Sequence, residues 1–165
     1  MIMTPFKHIL VPTDFGEPAR RAVDFAIALA LKFESKVTLL HASWVPASVY
    51  AAYAEGLTWP TNEMEAGAKR ELDAALSKAK VHYPKIEGAM IMGEPWRTIL
   101  EVAKDRGADL IVMGTHGRRG LSRVFLGSVT EKVVRLSPVP VLTISGKADQ
   151  EAKEKALAQA TDKRA

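Results

Sequence analysis

Short apolar runs alternate with longer stretches in which apolar residues recur every three or four positions, and this alternation continues through most of the chain. The runs Lys7–Pro12, Val37–His41, Ile86–Met92, Leu110–Met113 and Val139–Ile144 predict five strands. Between the first two, Ala22, Phe25, Ala26, Leu29, Ala30 and Phe33 fall on one face of a helix that opens at Glu17-Pro18, where proline's missing N–H is harmless. A second helix is expected over residues 62–79, with Met64, Ala68, Leu72, Ala75, Leu76 and Ala79 on one side. A third opens at Glu94-Pro95, carries Ile99, Leu100, Val102 and Ala103, and has Gly107 as its stop signal. The last follows Ser128, carries Val129, Val133, Val134 and Leu136, and ends at Ser137-Pro138.

Most of the strand runs are continuously apolar rather than alternating. Strands buried on both faces read this way, so the pattern predicts a parallel sheet with helices on either side. Pro140 lacks an N–H, which puts the fifth strand at an edge of that sheet. In such folds ligands bind at the carboxyl ends of the strands, where the strand order reverses. The loops after strands one and four hold the unusual chemistry, so those two loops are expected to face one crevice.

Composition narrows the picture. A chain of 165 residues suits one domain, expected over residues 1–146, followed by a charged tail over 147–165 in which Leu157 is the one large aliphatic residue. Residues 43–61 form the longest irregular stretch, a candidate flap or contact for a regulatory protein partner. With 23 Lys and Arg against 19 Asp and Glu, the net charge of +4 is a mild excess without a basic stripe, which argues against nucleic acid. No cysteine is present, so disulfides, thiolate metal sites and cysteine nucleophiles are excluded. No apolar run approaches the ~20 residues of a membrane span, and no signal-peptide pattern is present, so a cytoplasmic location is expected.

The candidate chemistry centres on residues 112–130. There a strand leads through Gly114, Gly117 and Gly120, with Arg118, Arg119 and Arg123, to Gly127-Ser128 and a helix start. Strand, glycine loop and helix N-terminus together make an anion site, because backbone N–H groups point outward and the helix dipole adds partial positive charge. The spacing is neither a Walker A motif nor the dinucleotide fingerprint. Glycine at 114, 117 and 127 would let backbone approach a ligand, and Ser128 and Thr130 offer hydroxyls at the helix start. Competing structural roles are plain. Ser128 with Glu131 matches a capping box, Asp14 suits the cap of the first helix, alone or with Gly16, and the arginines suit solvated loop charges. His8 and His41 belong in or near the sheet, His116 lies in the loop, and Trp44, Trp59 and Trp96 suit packing. No nucleophile, base and acid form a recognisable set.

Taken together, Gly114-x2-Gly117-x9-Gly127-Ser128 resembles the nucleotide-binding signature of the universal stress protein family. Ile9–Asp14 is similar to that family's first-strand motif, Val112–Arg118 to its fourth-strand motif and Pro138–Leu142 to its closing strand, over residues about 5 to 145. The resemblance implies an open five-stranded parallel sheet of order 3-2-1-4-5, Rossmann-like and akin to the adenine nucleotide alpha hydrolases. It implies the ATP-binding branch, with a magnesium or manganese ion accompanying the phosphates. Carried over residue by residue, Pro12, Thr13, Ala42 and Met113 would meet adenine, and Asp14 the ribose or a phosphate-bound metal. Gly114, Gly117, Gly127, Ser128, Val129 and Thr130 would line the ribose and phosphates, with Arg118 in reach of them. It also implies a homodimer through the edge strand Val139–Ile144 and a role as nucleotide-dependent sensor or regulator. A slow ATPase or nucleotidyl transferase, and a non-catalytic dimeric interaction module, are the rival expectations.

Overall fold

A computed structural model describes residues 6–45, 51, 61–116 and 126–146. His8–Pro12 (β1) is buried at every position, and so is Leu110–Gly114 (β4), which lies beside it in parallel. Residues of β1 alternate between two cores. Ile9 and Val11 face one with Ala22, Ala26, Ala30, Val37 and Leu39, while Leu10 faces the other with Leu40, Ile99, Val102, Ile111 and Val133. Apolar side chains on both faces are what a strand covered on both sides requires.

Burial fades outward from these two strands. Lys36–Ser43 (β2) is buried over Val37–Leu40, Ile86–Met92 (β3) is partly exposed, and Val141–Ile144 (β5) is half-buried throughout. All pairings are parallel, and the strand order is β3-β2-β1-β4-β5, as expected. The order reverses between β1 and β4. The fifth strand begins after Pro140, two residues later than expected, and Pro140 contributes only its carbonyl, which accepts the Ile111 N–H at 3.0 Å.

Among the described residues four helices cover the faces: Glu17–Phe33 (α1), Thr61–His82 (α2), Pro95–Asp105 (α3) and Ser128–Leu136 (α4). Side chains of α1 and α2 pack into the core with Ile9 and Val11, and side chains of α3 and α4 into the core with Leu10. The buried stripe of α1 is Ala19, Ala22, Ala26, Ile27 and Ala30, and its four alanines let the helix lie close to the sheet. Phe25, expected on that face, is 44% exposed. It sits one residue back from Ala26, about 100° round the helix, and so points outward. Gly107 follows α3 with φ +63°, the left-handed backbone that ends helices. None of the described helices is long and apolar enough to cross a membrane.

The amino end of the sheet carries a closed polar network. The buried ring of His8 meets the Arg106 carbonyl through Nδ1 (3.0 Å) and the Thr38 hydroxyl through Nε2 (2.8 Å). Thr38 donates to Glu87 (3.1 Å), which also meets Lys36 and Arg106, both at 3.0 Å. The Asp109 carboxylate takes the N–H groups of Lys7 and His8.

Candidate functional site

The carboxyl end of β1 turns sharply. Thr13 is buried, its N–H donates to the Leu40 carbonyl (2.8 Å), and its hydroxyl accepts the Phe15 N–H (2.9 Å). The Thr13 carbonyl meets His41 Nδ1 at 2.9 Å, and since a carbonyl only accepts, that nitrogen carries the hydrogen. Asp14 Oδ1 accepts the Gly16 N–H at 2.9 Å. Phe15 takes a left-handed backbone (φ +65°), stacks its ring on His41 (centroids 4.6 Å apart) and offers its carbonyl to the Arg20 guanidinium (2.6 Å). The N-cap of α1 is Gly16, with no side-chain cap bond, so Asp14 is not the cap. It lies two residues before Gly16, and its carboxylate folds the turn instead of reaching the helix donors.

At the end of β4 the role expected for Gly114 changes. A Cβ there would stand 2.8 Å from Pro18 Cβ, 3.0 Å from the Pro18 carbonyl carbon and 3.1 Å from the Ala19 nitrogen. The space beside its Cα is filled by the first turn of α1, so it is helix approach that demands glycine here. The Gly114 carbonyl accepts the Thr130 hydroxyl (2.9 Å, buried), which commits that hydroxyl hydrogen inside the protein. Thr115 donates its N–H to Ile144 (2.9 Å) and accepts the Gly127 N–H (2.8 Å), so the chain leaves β4 and returns to α4 at one point.

The start of α4 also differs from expectation. Gly127, in extended backbone (φ −60°, ψ 149°), is the N-cap, and among the described residues no side chain caps the helix. Ser128 is therefore the first helical residue and exposed, and the capping box with Glu131 does not form. The box needs a hydroxyl at the cap position, and glycine holds that position. The first intrahelical bond runs from Glu131 N–H to Gly127 O (2.8 Å), so the N–H groups of Ser128, Val129 and Thr130 precede the ladder.

Pro12 ends β1 and pairs with Leu40, and continuing the β1–β4 register by two residues brings it beside Met113. Met113 is buried in the core with Leu10 and Val133, while Ala42 is half-buried near the end of β2. Pro12, Thr13, Asp14, Ala42, Met113, Gly114, Gly127, Ser128, Val129 and Thr130 thus share the carboxyl edge of the sheet and the helix starts above it. Gly117, Gly120, Arg118, Arg119 and Arg123 lie outside the described residues, as do most of the 43–61 stretch and the 147–165 tail. His116 bonds the neighbouring Thr115 hydroxyl (3.0 Å). Trp96 packs against the second core with Lys132 Nζ 5.2 Å from its ring centroid, and Trp44 is exposed.

Among the described residues no three His, Cys, Asp or Glu side chains gather to hold a metal. A cation at this edge would rest on Asp14, with oxygen ligands drawn from phosphate and water. The donor set is one carboxylate, uncapped helix N–H groups and a hydroxyl, which fits a phosphate-bearing ligand better than a bare ion. His41 and Phe15 are the neighbours that sequence spacing missed. The link from His41 to Thr13 crosses 28 positions of chain, and no local pattern encodes it.

The sequence profile described as the universal stress protein family matches residues 5–145. The chain belongs to the universal stress protein family. It is similar to the universal stress protein MJ0531 of Methanocaldococcus jannaschii, 36% identical over 144 residues that cover 84% of this chain and 82% of that one. The solved structure of MJ0577, a universal stress protein of the same organism, is 30% identical and superposes with a TM-score of 0.76, covering 87% of this chain and 99% of that one. A universal stress protein solved in complex with cAMP is 27% identical with a TM-score of 0.66, covering 86% and 98% of the two chains. That nucleotide belongs to that protein's structure.

Proposed function

We propose that this universal stress protein binds ATP, with magnesium or manganese on the phosphates, and acts as a nucleotide-dependent sensor or regulator. One observation carries the reading: at the strand-order reversal between β1 and β4, the Asp14 turn and the uncapped first turn of α4 share one edge of the sheet. Pro12, Thr13, Ala42 and Met113 are the adenine positions in this reading. Asp14 serves the ribose or the metal, and Gly114, Gly117, Arg118, Gly127, Ser128, Val129 and Thr130 serve the ribose and phosphates. A bound metal would supply charge neutralisation to the phosphates. The chain's own part is to orient the nucleotide and offer backbone donors to its anionic end.

Gly127→Asp gives the decisive variant. The backbone at Gly127 admits any residue, and an aspartate there would cap α4 itself while placing negative charge where phosphate would sit. Stability should hold or rise by a few tenths of a kcal/mol, since glycine is already a tolerable cap. Calorimetric titration of nucleotide-free protein with ATP and Mg²⁺ should give saturable one-site binding, at least about tenfold weaker in the variant. Wild-type protein that takes up no adenine nucleotide refutes the reading.

The relative solved with cAMP favours a second form of the proposal, in which a shorter adenine nucleotide is the ligand. Competition between ATP and cAMP in the same titration ranks the two. We also propose a homodimer through β5, because the outer edge of this strand is unpaired within the sheet and another copy can extend it. Sedimentation at micromolar concentration should give twice the chain mass.

A further inference from the structure

We infer that His41 is a positioning residue for the candidate nucleotide site, holding the turn that presents Asp14; the inference rests on the nucleotide-binding reading above. Both chain neighbours of Asp14 lean on this one side chain. On one side the Thr13 carbonyl receives the Nδ1–H of His41 at 2.9 Å, which sets the plane of the peptide joining Thr13 to Asp14. On the other, the Phe15 ring stacks on the imidazole at 4.6 Å with an interplanar angle of 30°. Phe15 is at φ +65°, a backbone conformation that a bulky side chain disfavours and that persists where surroundings impose it. The stack, the bond from Arg20 to the Phe15 carbonyl (2.6 Å) and the bond from the Phe15 N–H to the Thr13 hydroxyl (2.9 Å) are among what the surroundings supply.

Histidine suits the position because it does two things at once. A phenylalanine would stack but could not donate, and an asparagine would donate but could not stack. The Asn Nδ2 and the His Nδ1 are each two bonds from Cβ, so asparagine can reach the same carbonyl. His41 lies on β2 immediately before Ala42, so the residue that steadies the Asp14 turn is contiguous with a strand end of the candidate site.

The test pairs His41→Phe and His41→Asn with Asp14→Asn and with the double variant His41→Phe/Asp14→Asn. Each is titrated with ATP and Mg²⁺, and the nucleotide-free proteins are followed by amide hydrogen exchange at Gly16. Loss of one positioning hydrogen bond predicts about tenfold weaker binding for His41→Phe and a recovery to within about threefold for His41→Asn. In the Asp14→Asn background, His41→Phe should add less than about a twofold further loss, because it acts through Asp14. Gly16 exchange should quicken in His41→Phe and stay near wild type in His41→Asn. Additive losses in the double variant, undiminished binding by His41→Phe, or an asparagine variant as weak as the phenylalanine one each overturn the inference while nucleotide binding stands. Absence of binding in the wild type overturns both.

Discussion

The two ends of the sheet are both polar, and they treat their polar groups in opposite ways. At the amino end, His8, Thr38, Glu87, Lys36, Arg106 and Asp109 satisfy one another in a continuous network. The hydrogen bond from Lys36 holds the Glu87 carboxyl below its usual range, helped by the Thr38 hydroxyl and by the charges of Lys36 and Arg106 against the pull of desolvation. At the carboxyl end, side chains fold the turns, through Thr13, Asp14, His41 and Thr130, while among the described residues no side chain caps the first donors of α4. A network that closes on itself serves the fold. One that ends in oriented backbone N–H groups leaves chemistry for a ligand.

Substitutions that separate folding from binding break or sharpen this contrast. The largest effect is expected for Gly114→Val. The added side chain collides with Pro18 and the Ala19 backbone, which should cost about 3 kcal/mol in urea denaturation. A variant that keeps full stability and loses only nucleotide affinity would return Gly114 to the ligand side of the contrast. Next comes Thr38→Val, which leaves His8 Nε2 buried without a partner; about 1–3 kcal/mol of stability should disappear, with nucleotide affinity unchanged. Weakened binding in that variant would show that the two ends are coupled.

Thr130→Val should lower stability by about 1 kcal/mol, because it strips the Gly114 carbonyl of its buried donor. Its effect on affinity should be smaller than that of Gly127→Asp, since the hydroxyl is already engaged. The smallest effect belongs to Glu87→Gln, whose ion pairs are half-exposed and together contribute about 0.5–1 kcal/mol. A carboxyl held below its usual range adds stability above its unfolded pKa and loses that contribution as pH falls through the folded value. Denaturation midpoints of wild type and variant should therefore differ at pH 7 and converge as pH falls through the depressed folded value of Glu87.

The architecture was legible because β1 and β4 are uninterrupted apolar runs and helical spacing fills the gaps between strands. Side-chain roles at the helix starts were not. The Ser128-x-x-Glu131 pattern is the same whether serine caps or follows the cap, and the choice depends on Gly127 adopting the extended backbone. Asp14 likewise sits two residues too early to cap α1. Gly114 reads in the sequence as a ligand-approach glycine, and the helix that requires it shows only through the position of Pro18, far earlier in the chain. Phe25 lies beside the buried stripe of Ala19, Ala22, Ala26, Ile27 and Ala30, and helical spacing alone does not separate the two. The His41–Thr13 bond joins β2 to the turn after β1 and leaves no trace in local spacing.

The bond from Gly127 N–H to the Thr115 carbonyl has a consequence for how this molecule tolerates change. It fastens departure and return of the chain together, so the frame on either side closes without help from the residues between. Lengthening that span adds closure entropy only logarithmically, about 0.6 kcal/mol for each doubling. Because β4, β5 and α4 are held by contacts outside residues 116–126, the fold should tolerate a longer chain there, whereas nucleotide affinity, which draws on Gly117 and Arg118 in the proposed reading, should not tolerate their exchange.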